Sequence, residues 1–205
     1  MTFATALIAY LAAATLLTIT PGLDTAIVLR TAAVEGSRRA ALAALGVICG
    51  CLVWGVAVAL GLGVLIAASH LAYVTLKWAG AAYLAWLGVN LLMRPRTALD
   101  LSAPPTPGGN WWLRGFLTNL LNPKVGVFYV SFLPQFVPSG VAPAPFILLL
   151  AVIHAGLGAL WFAGLIGATA PLKRWLQRTA VVRWLDRLTG VVFLGFGARL
   201  AFDRR

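Results

Sequence analysis

The sequence is short of acids, cysteines and histidines. Five Asp and Glu residues stand against sixteen Lys and Arg in 205 positions. Charged residues make up 10% of the chain, where a soluble domain has about a quarter. Too few charges are present to build a solvated surface. Two cysteines, Cys49 and Cys51, exclude a disulfide framework. They lie two apart in an apolar helix, cannot pair without strain, and have no His or acid beside them. They read as small buried apolar residues. Two histidines and one acid inside the apolar segments are poor provision for a cation or metal exporter, which wants several converging ligands. The same shortage argues against an enzyme. Ser131 and His154 are the only imaginable nucleophile and base, and no flanking motif supports them. No cofactor or metal is expected.

What the chain has is apolar length. Hydrophobic residues make up 61% of it. Several uninterrupted apolar stretches approach or exceed ~20 residues, enough to span a bilayer. The chain reads as an all-α polytopic membrane protein with the lipid bilayer as its main partner. A net charge of +11 would by itself suit nucleic acid. The basic residues, however, lie in loops and at helix ends, where the positive-inside rule places them, so no nucleic-acid partner is expected. The start Met1-Thr2-Phe3 has no basic n-region or cleavage site, and the first segment reads as a retained helix.

Six spans are predicted. Helix 1 runs from about Phe3, breaks at Thr20-Pro21 and resumes to about Ala33. Helix 2 covers about Ala40 to Ala67 and carries the close-packing pattern Gly46-xxx-Gly50. Helix 3 runs from about Tyr73 to Met93. Residues 94–112 form a Pro- and Gly-rich linker, with Trp111 and Trp112 suited to the headgroup region. Helix 4 runs from Arg114, breaks at Asn122-Pro123 and resumes to about Val137. An uncharged turn with Pro138, Pro143 and Pro145 leads to helix 5, about Phe146 to Ala168. Lys173 to Arg187 carries five basic residues and should lie along an interface. Helix 6 is about Leu188 to Phe202, short for a span, so it can begin several residues earlier.

Loops 1, 3 and 5 are basic, and loops 2 and 4 carry no charge. This alternation places the odd loops in the cytoplasm and both termini outside, although Arg204 and Arg205 disagree. Glycine-rich faces on helices 2 and 5 allow a homodimer.

An internal repeat underlies the spans. Lys77-Trp-Ala-Gly80-Ala-Ala-Tyr83-Leu84-Ala-Trp86 aligns with Arg187-Leu-Thr-Gly190-Val-Val-Phe193-Leu194-Gly-Phe196 at an offset of 110. Pro21 and Pro123 match at an offset of 102. Three spans per copy give two inverted repeats, about 1–93 and 113–205, in one transmembrane domain covering 1–205. Inverted repeats with broken helices are a transporter architecture, with the substrate site near mid-membrane. Pro21 lies nine residues before Arg30, and Pro123 eleven after Trp112. At 1.5 Å per residue these are ~14 Å and ~17 Å, near the middle of the membrane.

The breaks carry the chemistry. At Thr20-Pro21-Gly22-Leu23-Asp24, Thr20 is a good N-cap and Pro21 suits the first helical position. Asn122-Pro123-Lys124 repeats the logic of cap, proline and charge. Two converging helix N-termini attract an anion, and the N–H groups of Gly22, Leu23, Val125 and Gly126 are the expected donors. Lys124 adds a full charge at a helix start, where the dipole disfavours it, and so calls for an anionic partner. Asp24 is the only acid predicted within a span. Such residues are functional by default, although an Asp24–Lys124 bridge that only locks the repeats together would look the same. Thr20, Asn119, Asn122 and Gln135 can add polar contacts or serve as caps. His154 reads as a packed, hydrogen-bonded histidine more than a proton relay. An amino acid's carboxylate suits the helix ends and Lys124, and its ammonium suits Asp24.

These motifs resemble the LysE/RhtB family of bacterial amino-acid exporters. The matching stretches are Thr20 to Asp24, Lys77 to Leu84, and Asn119-Leu-Leu-Asn122-Pro123-Lys124 followed by Phe132-Leu133-Pro134-Gln135-Phe136. They span essentially the whole chain. The family usually has a second proline where Leu23 stands, a departure that leaves Asp24 in place. The resemblance implies efflux of amino acids or related metabolites through the inner membrane, driven by protons.

Overall fold

The computed structural model describes residues 2–68, 70–95, 109–167 and 178–202. All regular structure among them is helical. The elements are α1 (Phe3–Ile19), α2 (Leu23–Val34), α3 (Ser37–Ala68), α4 (His70–Met93), α5 (Trp111–Leu120), α6 (Pro123–Val127), α7 (Pro143–Gly167) and α8 (Thr179–Phe202). Between α6 and α7 the chain is π-helical over Phe128–Phe132 and 3-10 over Leu133–Phe136. The linker around Pro104 and the basic stretch around Trp175 lie outside the described residues.

Two helices are long and apolar enough to cross a membrane, Ser37–Gly61 and Pro143–Gly167. The α1–α2 pair, bent by 48° at its break, is a third if counted as one span. Trp78–Met93 is apolar but shorter. Length and composition of the described helices therefore give two or three spans, short of the six expected.

Both breaks fall where the sequence places them. The chain stops at Ile19 and restarts at Leu23, then stops at Leu120 and restarts at Pro123. A proline cannot continue a helix ladder, and it pushes the residue before it into extended backbone. Thr20 (φ −69°, ψ 114°) and Asn122 (φ −77°, ψ 109°) both obey. The roles of the caps differ from expectation. Asn122 does cap α6, its Oδ1 accepting from the Lys124 N–H at 3.1 Å. Thr20 instead closes α1, its N–H and hydroxyl both donating to the Leu16 carbonyl. The cap of α2 is Gly22, without a side-chain bond, so Pro21 precedes the helix rather than opening it.

The second half-helix is not the continuous α-helix expected to Val137. Pro134 has no N–H and its ring crowds the carbonyl of Val130, so the ladder widens before it and tightens after it. Two further boundaries differ. α7 starts at Pro143, a residue expected in the turn, because proline fits a first helical turn. α8 starts at Thr179, so Arg187 is helical, and Asp186 is a second acid inside a helix, fully buried. Trp111 is buried, with the Arg114 guanidinium over its ring.

Packing follows the glycines. α3 runs along α5 and α7, and α4 along α8. A Cβ on Gly46 would lie 2.0 Å from the Trp112 carbonyl oxygen, so the Gly46-xxx-Gly50 face lets α3 and α5 touch backbone to backbone. On the side of the bundle holding the start of α1, an aromatic column closes the core. Tyr10, Phe128, Phe132 and Phe136 are all buried there, with the Tyr10 hydroxyl donating to the Leu150 carbonyl at 2.8 Å.

Candidate functional site

The two breaks meet at the ends of α1, α2, α5 and α6. Asp24 sits in the first turn of α2 and is half-buried. A carboxylate there gains from the positive end of the helix dipole. One carboxylate oxygen accepts from Asn119 Nδ2 at 2.8 Å, the other from Asn122 Nδ2 at 3.3 Å. Both donors come from the second break. Asn119 is fully buried in the last turn of α5, and Gly50 makes room for it. A Cβ on Gly50 would lie 2.5 Å from Asn119 Oδ1. One glycine of the packing motif thus serves the site directly.

Lys124 returns the contact. Its ammonium donates to the carbonyls of Leu17 and Thr20, each at 3.1 Å. These are the last carbonyls of α1, which lack partners along their own helix, at the negative end of its dipole. The expectation of a lysine badly placed for stability is corrected. Its backbone stands at the start of α6, but its ammonium serves the end of α1. Each break therefore supplies what the other lacks, amides for the carboxylate and an ammonium for the carbonyls.

The expected N–H donors are partly spent. The N–H groups of Val125 and Gly126 both go to the Asn122 carbonyl at 3.0 Å. A short first turn bends them onto their own cap. Gly22 and Pro21 are buried, with the Lys124 side chain running across Gly22, while Leu23 is 57% exposed. Gln135 is not brought to this place. It lies in the 3-10 segment, its Nε2 donating to the Ser131 carbonyl.

A cavity of about 50 Å³ opens beside the breaks, lined by Thr20, Gly22, Asp24, Asn122, Lys124 and Val125, and across from them by α3 and α7. A second of about 220 Å³ lies toward Leu87 and Leu91 of α4 and shares Thr20, Gly22, Asn122 and Lys124. The break residues form a wall with a cavity on either side. The first cavity also borders Cys51 and His154. Cys51 Sγ is 3.4 Å from Asn119 Nδ2, and His154 Nδ1 is 2.9 Å from the Tyr129 hydroxyl. Reading Cys51 as apolar filling missed that contact, for which the sequence holds no local signal. His154 is packed and hydrogen-bonded as expected, and it also reaches the cavity. Thr189 is a further missed residue, its hydroxyl 2.6 Å from that of Thr20.

Comparison with known proteins gives a consistent answer. Residues 15–204 match the family described as LysE type translocator. The chain is 32% identical over 203 residues to the uncharacterized membrane protein YrhP of Bacillus subtilis, covering 94% of this chain and 97% of that one. It is 33% identical over 198 residues to the homoserine/homoserine lactone efflux protein of Salmonella typhi, covering 96% of each. It is 31% identical over 191 residues to the threonine efflux protein of Escherichia coli K12, covering 90% of this chain and 91% of that one. No solved structure matches it. The family match across nearly the whole chain, the relatives and the apolar broken helices agree: this membrane protein belongs to the LysE type translocator family.

Proposed function

We propose that the protein is a secondary transporter, not an enzyme, that exports amino acids or close derivatives across the bacterial inner membrane in exchange for protons. The observation that carries this reading is a carboxylate held at the junction of two broken helices and bordering a cavity. An ionisable residue at membrane depth marks a substrate or ion pathway by default. Relatives named for homoserine and threonine efflux support the substrate class.

In this reading Asp24 binds the substrate's ammonium, and Lys124 with the α2 start supplies positive potential for the carboxylate. Thr20, Pro21, Gly22, Leu23, Asn119, Asn122, Pro123, Val125 and Gly126 shape the wall between the cavities; Gln135 has no part. Protonation of Asp24 from the outside releases the ammonium, and deprotonation toward the cytoplasm resets the site. No metal or cofactor takes part.

The reading includes six spans as two inverted repeats in one domain. The packing of α4 on α8 supports it. A Cβ on Gly88 would lie 2.8 Å from the Gly190 carbonyl oxygen, and one on Gly197 3.1 Å from that of Ala81. The offset of 110 carries the Gly88/Gly190 approach onto Ala198 and Gly80, one residue from the second approach. Loops 1, 3 and 5 face the cytoplasm, both termini face outward, and a homodimer packs through α7, whose Gly156 and Gly164 stand open, while Gly46, Gly50 and Gly55 of α3 are spent on α5 and α7.

The test is efflux from membrane vesicles, with a panel of amino acids that includes homoserine and threonine. Export of at least one, collapsing with the proton gradient, is expected. Export of none, or export indifferent to the gradient, would overturn the function or its coupling. Labelling of Ser139→Cys but not Pro105→Cys from outside is expected, and the reverse would invert the topology.

A further inference from the structure

The positive groups around Asp24 are heavily committed. Lys124 gives its backbone N–H to Asn122 and its ammonium to two carbonyls of α1. The N–H groups of Val125 and Gly126 turn to the Asn122 carbonyl. A substrate held by its ammonium at Asp24 still needs a donor for its carboxylate. Across the cavity stands His154 of α7, 6% exposed, which the account so far leaves without a task.

Tyr129 fixes that imidazole. It stands on the π-helical segment, fully buried, with its hydroxyl 2.9 Å from His154 Nδ1. The same hydroxyl also meets the Cys51 thiol; when the phenol proton is given to Nδ1, that nitrogen is the acceptor and the ring proton sits on Nε2, since one imidazole nitrogen donates when the other accepts. The titratable and charged groups lining the cavity are Asp24 from α2, Cys51 from α3 and Lys124 from α6, while α1 contributes none. His154 thus stands on the wall opposite the breaks, its Nδ1 held by a partner outside the cavity lining.

We propose that His154 is the carboxylate-binding residue of the substrate site, donating from Nε2, with Tyr129 as its positioning residue. The proposal rests on the transport reading, because it takes the substrate to be an amino acid bound at Asp24. It makes the site two-ended: Asp24 takes the ammonium at the breaks, and His154 gives the carboxylate its direct hydrogen bond from α7, with Lys124 acting on it only through its field. It also gives the widened turn at Phe128–Phe132 a purpose, since π-helical turns often mark functional positions and this one carries Tyr129.

The experiment measures binding to the full chain reconstituted in lipid nanodiscs. The probes are threonine, homoserine, and the amino alcohol in which threonine's carboxylate is replaced by CH2OH. Wild type should prefer threonine to the amino alcohol by about 10-fold or more, the worth of a hydrogen bond to a charged acceptor. In His154→Leu, which keeps the bulk, that preference should vanish through loss of threonine affinity, with the amino alcohol unchanged. His154→Gln, which keeps an N–H, should retain part of it, and Tyr129→Phe should weaken it while leaving amino-alcohol affinity alone. Equal loss of both probes in His154→Leu, or a preference that survives in it, would overturn the proposal while leaving transport intact. A wild-type protein that binds neither threonine nor homoserine would overturn the proposal together with the transport reading for these substrates.

Discussion

The two breaks share a sequence pattern and use it differently. In both, a polar residue precedes a proline and takes the same extended backbone, within about ten degrees. After Pro123 the chain is helical at once, and the Asn122 side chain caps it. After Pro21 one further extended residue, Gly22, intervenes before α2 starts bare. The first break therefore exposes carbonyls and a carboxylate, and the second exposes amides and an ammonium. The difference teaches that two breaks of one pattern need not be equivalent to fit. Their departures from each other are what let them bond across the junction.

The largest effect on stability is expected from removing the Lys124 ammonium from the junction. Lys124→Ala leaves two α1 carbonyls without their charged donor and strips positive potential from the site. Hydrogen bonds from charged groups are worth about 1.5–3 kcal/mol each, so a loss of about 3–6 kcal/mol is expected. Export should fall by about 100-fold. Thermal unfolding and vesicle efflux on the same preparations check this, and unchanged stability would show that the clamp on α1 is not needed.

Next comes the comparison of the two caps. Asn122→Ala removes the cap of α6 and a donor to Asp24, about 1 kcal/mol for the cap and more for the carboxylate bond. Thr20→Val removes only the hydroxyl contacts to Leu16 and Thr189, about 0.5–1.5 kcal/mol. Unfolding midpoints should therefore fall further for Asn122→Ala. Equal shifts would mean that the breaks are interchangeable after all.

Much of this was legible in the sequence because proline and glycine act locally. Pro21 and Pro123 placed the breaks, and apolar length placed α3 and α7 to within a few residues. Pro134 also carried the signal for the change of helix pitch, but its effect shows only against the ladder it interrupts. Side-chain partners were less legible. Lys124 looked misplaced because its own helix was considered and the distant end of α1 was not. Asp186 was overlooked because basic neighbours made the start of α8 read as an interface. Cys51 and His154 joined the cavity through packing of α3 and α7 against the breaks, which no local pattern encodes.

A smaller effect tests whether the packing motif serves the site. Gly50→Ala should force Asn119 off Asp24, since its Cβ would lie 2.5 Å from Asn119 Oδ1. Overpacking of this kind costs about 1–3 kcal/mol. Export should fall by about tenfold while the protein still inserts. Efflux at the wild-type rate would show that Asn119 can move aside without consequence for the carboxylate.

The central claim is that Asp24 works on the substrate rather than only tying the two breaks together. It is tested most directly by proteoliposome export driven by a proton gradient, comparing wild type, Asp24→Asn, and Asp24→Asn combined with Lys124→Ala. Asp24→Asn keeps a side chain of the same shape but cannot bind an ammonium as an ion or carry the proton. The account predicts normal insertion, weak substrate binding and no export against a gradient, with no recovery in the double variant. Export by Asp24→Asn at the wild-type rate would show that Asp24 is neither ligand nor proton carrier, and wild-type export by the double variant would reduce the pair to a structural lock.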